Sequence, residues 1–124
     1  MRMIFIYEIL IPVGIYFFIF LPMASTATYL NFVDTTEEAF GFYQSVFGGE
    51  FEGPIHRFSD VPPAEGMPPL ADADKNLVMH ICLPILGGHK LMGTDAPASM
   101  GFTVNPGNNV HISLHPDSRE EADQ

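Results

Sequence analysis

Residues 28–49, TYLNFVDTTEEAFGFYQSVFGG, decide how the chain is read. Tyr29, Leu30, Asn31, Phe32 and Val33 make a short run rich in aromatic and β-branched residues, bounded by Asp34, which is a strand signature. Thr35 then offers an N-cap oxygen, and Glu38, three residues on, is placed to reach back to its amide. That spacing is a capping box. Ala39, Phe42, Tyr43 and Val46, flanked by Phe40 and Phe47, repeat at the i, i+3, i+4, i+7 spacing of a helix with one broad apolar face. Gly48 and Gly49 stop it, because glycine enters the left-handed conformation at little steric cost. A helix so rich in phenylalanine needs a sheet to lie on.

The sequence downstream supplies strands. Residues 50–58, EFEGPIHRF, read as a second strand with a bend or bulge at Gly53-Pro54. Residues 61–74 are a loop: Pro62, Pro63, Pro68 and Pro69 and the acids between them leave little to bury. Residues 76–85, NLVMHICLPI, are nearly all apolar and read as a strand buried on both faces. Gly87-Gly88 marks a hairpin turn. Residues 89–94 form its second strand, 95–107 a further loop, and 109–114, NVHISL, a last strand. The order is βαβββ, followed by the start of another βα.

That order prompts a search for an internal repeat. At an offset of 83, Asp34-Thr35-Thr36-Glu37-Glu38-Ala39 aligns with Asp117-Ser118-Arg119-Glu120-Glu121-Ala122. Residues 28–32 likewise align with residues 111–115. Ser118 and Glu121 repeat the capping-box spacing.

Composition excludes some functions. A chain of 124 residues has the length of one domain. Its formal charge is −10, with only five Lys and Arg. That balance argues against nucleic acid and anionic membrane surfaces, which need a basic patch. Cys82 is the sole cysteine, so no intramolecular disulfide forms, which fits a reducing, cytoplasmic setting. Residues 1–22 differ from the rest, being almost wholly apolar apart from Arg2 and Glu8. They read as a signal peptide, as a membrane anchor of about 20 residues, or as sequence upstream of a natural start at Met23. The third reading is preferred, since Met23 stands just before the first strand and Glu8 opposes burial in hydrocarbon. Export or membrane attachment would follow only if this leader is retained.

The segments YLNF, TTEEAFGFYQSVFGGEF, RFSDVPP, GMPPL, KNLVMHICLPILGGHKLMGTDAP and GNNVHISLHPDSREEAD together resemble the PhnB-like branch of the vicinal oxygen chelate superfamily. That superfamily also holds glyoxalase I, bleomycin-resistance proteins and extradiol dioxygenases. The resemblance covers the chain from Met23 to Asp123. It implies an α+β fold of βαβββ modules whose curved mixed sheets make a cup for a small molecule. It places a first module at 23–107 and the start of a second at 108–124, truncated after its first strand and helix start. The superfamily's metal enzymes hold a divalent metal with four His or Glu ligands. By position these fall on Thr28, a poor ligand, and on His111. Residues 90–95 offer no glutamate there. The expectation is therefore small-molecule binding without the usual metal set and with no cofactor. A divalent-metal lyase or dioxygenase is the alternative, and an inactive fragment a third reading.

His80, Arg57 and Cys82 are the candidate ligand-binding residues, and His111 is the single metal candidate. His80 and Cys82 share one face of a strand by alternation, and a Cys/His nucleophilic pair is conceivable. His89, after a Gly-Gly turn, is expected to be exposed. A homodimer is the expected partner arrangement, because one module and a strand leave sheet edges and an apolar face to cover.

Overall fold

A computed structural model describes residues 24–62, 66 and 69–123; the leader over residues 1–22 lies outside them. The first strand, β1, runs Ala27–Phe32, and the helix α1 spans Thr36–Phe47. A two-residue strand β2 (His56–Arg57) follows, then β3 (Val78–Pro84) and β4 (Lys90–Asp95). These form one open, curved mixed sheet in the order β1-β4-β3-β2. β1 pairs parallel with β4, and the remaining neighbours are antiparallel. The chain is an α+β protein with the expected βαβββ order.

Register fixes two faces. Leu91, Gly93 and Asp95 alternate with Lys90, Met92 and Thr94 along β4, and the first set is buried. Their neighbours Ile81, Leu83, Leu30 and Phe32 share that side. α1 lies on it. Phe40, Val78, Ile81, Leu83 and Leu91 form the core, with Phe32, Tyr43 and Phe47 packed against it. Burying each such side chain contributes roughly 1.5–3 kcal/mol. The helix's buried line runs Thr36, Phe40, Tyr43, Phe47. Phe42, read as part of the apolar stripe, is 64% exposed, and Val46 is only half-buried. The ring of Phe40 meets Phe32 and Tyr43 edge-on, with centroids 6.4 and 5.5 Å away, an arrangement aromatic quadrupoles favour.

The start of α1 is held differently from the expected capping box. The Thr35 side chain makes no capping hydrogen bond. The last residue of β4 does the work instead. Asp95, 4% exposed, accepts from the Thr36 N–H (3.0 Å) and the Thr36 hydroxyl (2.6 Å) at Oδ1. At Oδ2 it accepts from the Val78 N–H (2.8 Å). One carboxylate thereby satisfies an orphan amide of the helix and the first amide of β3. Asp95, which by sequence lies beyond the end of its strand, belongs to β4 and is buried.

The bend at Gly53-Pro54 is present: Gly53 has φ +79°. It shortens β2 from the expected 50–58 to two residues, although the Glu52 N–H still donates to the Cys82 carbonyl (2.9 Å). The Gly87-Gly88 turn is present too, with φ of +65° and +78°. The Ile85 N–H donates across it to the His89 carbonyl (2.7 Å).

Residues 109–114 are not a strand. Val110, Ile112 and Leu114 are 78%, 44% and 46% exposed. The alternation is there, but no described strand runs beside it, and a strand persists only when a neighbour takes its backbone hydrogen bonds. The helix start that follows is correct. α2 spans Arg119–Ala122, with the Ser118 hydroxyl accepting from the Glu121 N–H (3.1 Å). The Glu121 carboxylate reaches back to the Asp117 N–H (2.8 Å).

Candidate functional site

The side of the sheet away from α1 carries the polar side chains. Alternation along β1, β4 and β3 puts Tyr29, Asn31, Lys90, Met92, Thr94, His80 and Cys82 on it. His56 joins them as the direct partner of His80 across β2 and β3. Tyr29 is half exposed, His80 half-buried and His56 exposed.

Two groups form there. In the first, the Tyr29 phenol lies 3.4 Å from His80 Nδ1, a long hydrogen bond, with ring centroids 6.0 Å apart and planes 32° apart. His56 continues the row, its ring 6.5 Å from that of His80 and tilted 33°. The phenol both donates and accepts, so it serves either tautomer of His80. Partial burial pushes the Tyr29 hydroxyl above its ordinary 10.0, against a smaller opposing effect of the Thr94 hydroxyl. Tyr29 is therefore a neutral phenol at neutral pH.

In the second group, Lys90 Nζ lies 2.7 Å from both Glu52 carboxylate oxygens. The Cys82 thiol points at Glu52 Oε2, 3.8 Å away. The hydrogen bond from Lys90 holds the Glu52 carboxyl below its ordinary range. Cys82, 4% exposed, has its thiol pushed up, first by burial and then by the negative charge of Glu52. A thiol held protonated is a poor nucleophile, and its hydrogen-bond partner is a carboxylate rather than an imidazole. The geometry does not make the Cys/His nucleophilic pair. Glu52 was not singled out by the sequence, because it sits in the bend before Gly53, outside any periodic run.

The structure brings His80 and Cys82 to the same face, as alternation requires, and leaves Arg57 and His111 elsewhere. Arg57 reaches to the helix side. Its guanidinium forms a bidentate pair with Glu37 (2.9 and 3.0 Å) and donates to the Asn76 carbonyl (2.6 Å). Its donors tie β2 to α1. Arg57 holds the Glu37 carboxyl below its ordinary 4.5, chiefly through that hydrogen bond. A depressed carboxylate stabilises the fold above its ordinary value, and the contribution is lost as pH falls through the lowered one. Glu37→Gln is accordingly expected to cost less than about 1 kcal/mol at pH 7, since both partners are partly exposed. Wild type and variant should converge as pH falls through the lowered Glu37 range when urea midpoints are compared.

The metal set implied by the resemblance does not fit these residues. Thr28 shares the parity of Leu30 and Phe32, so it faces the helix side rather than the open face. Its hydroxyl lies 2.9 Å from His89 Nε2, which also makes His89 half-buried rather than exposed. Asp95 is spent on α1 and β3. His111 lies in the unpaired stretch and is exposed. Among the described residues no group of three or more His, Cys, Asp or Glu side chains is placed to hold a metal ion. Nor is any described helix long and apolar enough to cross a membrane.

The chain is similar to the crystal structure of protein PA1353 from Pseudomonas aeruginosa, with 30% sequence identity. The match covers 82% of this chain and 68% of that one, with a TM-score of 0.65. The chain belongs to the family of protein PA1353. No family model and no curated protein matches it. In this PA1353-family chain the sheet is clothed by a helix on one side, and the polar row Tyr29–His80–His56 lies on the other.

Proposed function

We propose that the open face of the sheet binds a small organic molecule, in the manner of the metal-free binding proteins of the vicinal oxygen chelate superfamily. One observation carries the reading. Tyr29, His80 and His56 stand in a row on three strands of the face away from α1, Tyr29 and His56 exposed and His80 half-buried. Aromatic and imidazole rings on a curved sheet offer flat contact surface and a few placed donors, which is the usual make-up of a small-molecule site. Lys90, neutralised by Glu52, borders the row without adding a free charge. A second copy of the chain closing over this face would complete the enclosure, and a cytoplasmic setting suits the buried free thiol of Cys82.

The test is ligand-observed NMR on the full chain with a library of small ketones, phenols and carboxylic acids, EDTA present throughout. Hits are expected to lose at least about tenfold in affinity in Tyr29→Ala and His80→Ala, the scale of removing one or two well-made contacts. Hits that bind both variants as tightly as wild type would overturn the assignment of this face.

A further inference from the structure

We propose that His56 and His80 form a two-imidazole site for a divalent transition-metal cation such as Zn2+. They are direct partners across the antiparallel β2–β3 pair, where opposed Cβ atoms lie about 4.5–5.5 Å apart. Their ring centroids are 6.5 Å apart, with planes 33° from parallel. With metal–nitrogen bonds of about 2.0–2.1 Å, two imidazoles on one tetrahedral ion have centroids roughly 5–5.5 Å apart. The pair therefore needs to close by about 1 Å, within reach of a side-chain rotation by the exposed His56.

A second feature suits the pair to this task. Tyr29 sits 3.4 Å from His80 Nδ1, and its phenol can accept from Nδ1–H. That leaves the Nε2 lone pair of His80 for a metal, with the far ring nitrogen held by an oxygen, as ligating histidines commonly are. The chain's formal charge of −10 raises the local concentration of any cation. Imidazole donors select Zn2+, Cu2+ or Ni2+ over Mg2+ or Ca2+. No third His, Cys, Asp or Glu joins them among the described residues, so water fills the remaining positions. The site uses neither Thr28 nor His111. It does not depend on the small-molecule reading: zinc is titrated with no fragment present, and the fragments are tested in EDTA.

The experiment is calorimetric titration of the tag-free full chain with Zn2+ in a non-chelating buffer. Wild type, His56→Gln, His80→Gln, His111→Gln and His115→Gln are compared, with circular dichroism to confirm that each is folded. Saturable binding of one Zn2+ is expected. His56→Gln and His80→Gln should each weaken it by about tenfold or more, while His111→Gln and His115→Gln should stay within about twofold. Because His56 is exposed, its variant stays folded and decides the matter even if His80→Gln does not. Undiminished affinity in folded His56→Gln, or no saturable binding by wild type, would overturn the proposal.

Discussion

Asp95→Ala is expected to cost the domain a large part of its stability. The carboxylate accepts three hydrogen bonds, from the Thr36 amide and hydroxyl and the Val78 amide, and is 4% exposed. Alanine leaves two buried amides without acceptors, at about 1–3 kcal/mol each, and removes the anchor of the α1 N-terminus. A total of roughly 3–5 kcal/mol is expected, against a typical domain stability of about 5–15 kcal/mol. Asp95→Asn separates geometry from charge. Its amide oxygen can still accept from Thr36, but its NH2 group would face the Val78 N–H, donor against donor. About half of the alanine effect is expected. Chemical denaturation of the three proteins checks the order wild type, Asn, Ala. An alanine variant within about 1 kcal/mol of wild type would show that water replaces the carboxylate.

The second large effect is Gly93→Ala. A Cβ at that position would stand 2.4 Å from Phe40 Cε2, 2.9 Å from Phe40 Cζ and 3.2 Å from Thr36 Cγ2. Gly93 needs no unusual backbone angle, since it is absent from the positive-φ positions. The constraint is the closeness of the helix to the sheet. Phe40 is wholly buried and wedged between Phe32 and Tyr43, so the ring has nowhere to swing. Overpacking of this kind costs about 1–3 kcal/mol. The specific expectation is non-additivity. Phe40→Leu alone should destabilise by leaving space, and in the Gly93→Ala background it should cost much less. A double-mutant cycle by thermal unfolding measures this; additive effects would mean that the strand moves rather than the ring.

Much of the architecture could be read from residues in order, because it rests on local signals. The 3.6-residue repeat of α1, the Gly87-Gly88 turn, the bend at Gly53-Pro54 and the apolar run of β3 all stand where the sequence put them. What could not be read depends on partners far along the chain. The Thr35…Glu38 spacing is a sound capping box, yet a buried carboxylate from β4 takes the first helical amide. Arg57 looks like a free ligand-binding cation until Glu37 meets it. Residues 109–114 alternate as a strand should, but alternation cannot supply a neighbouring strand. Thr28 and Tyr29 differ by one position, and only the side on which α1 settles decides which of them faces the proposed site. Of the candidate residues, His80 and Cys82 were legible through strand alternation. Glu52 and the His56 partnership came from the register of a strand too short to announce itself.

The position of Asp95 also bears on the order in which the chain acquires its structure. Its partners Thr36 and Val78 belong to segments that precede it in synthesis, and among the described residues β1 pairs with β4 alone. The helix can begin to wind early, but its first turn is not locked, nor β1 retained, until β4 arrives. Such distant closure is slow compared with hairpin formation, and it makes β3–β4 the element on which the rest must wait. The same carboxylate then gives the finished domain a single latch. The Thr36 and Val78 amides, remote in sequence, share one acceptor residue and should be released to solvent hydrogen in one event.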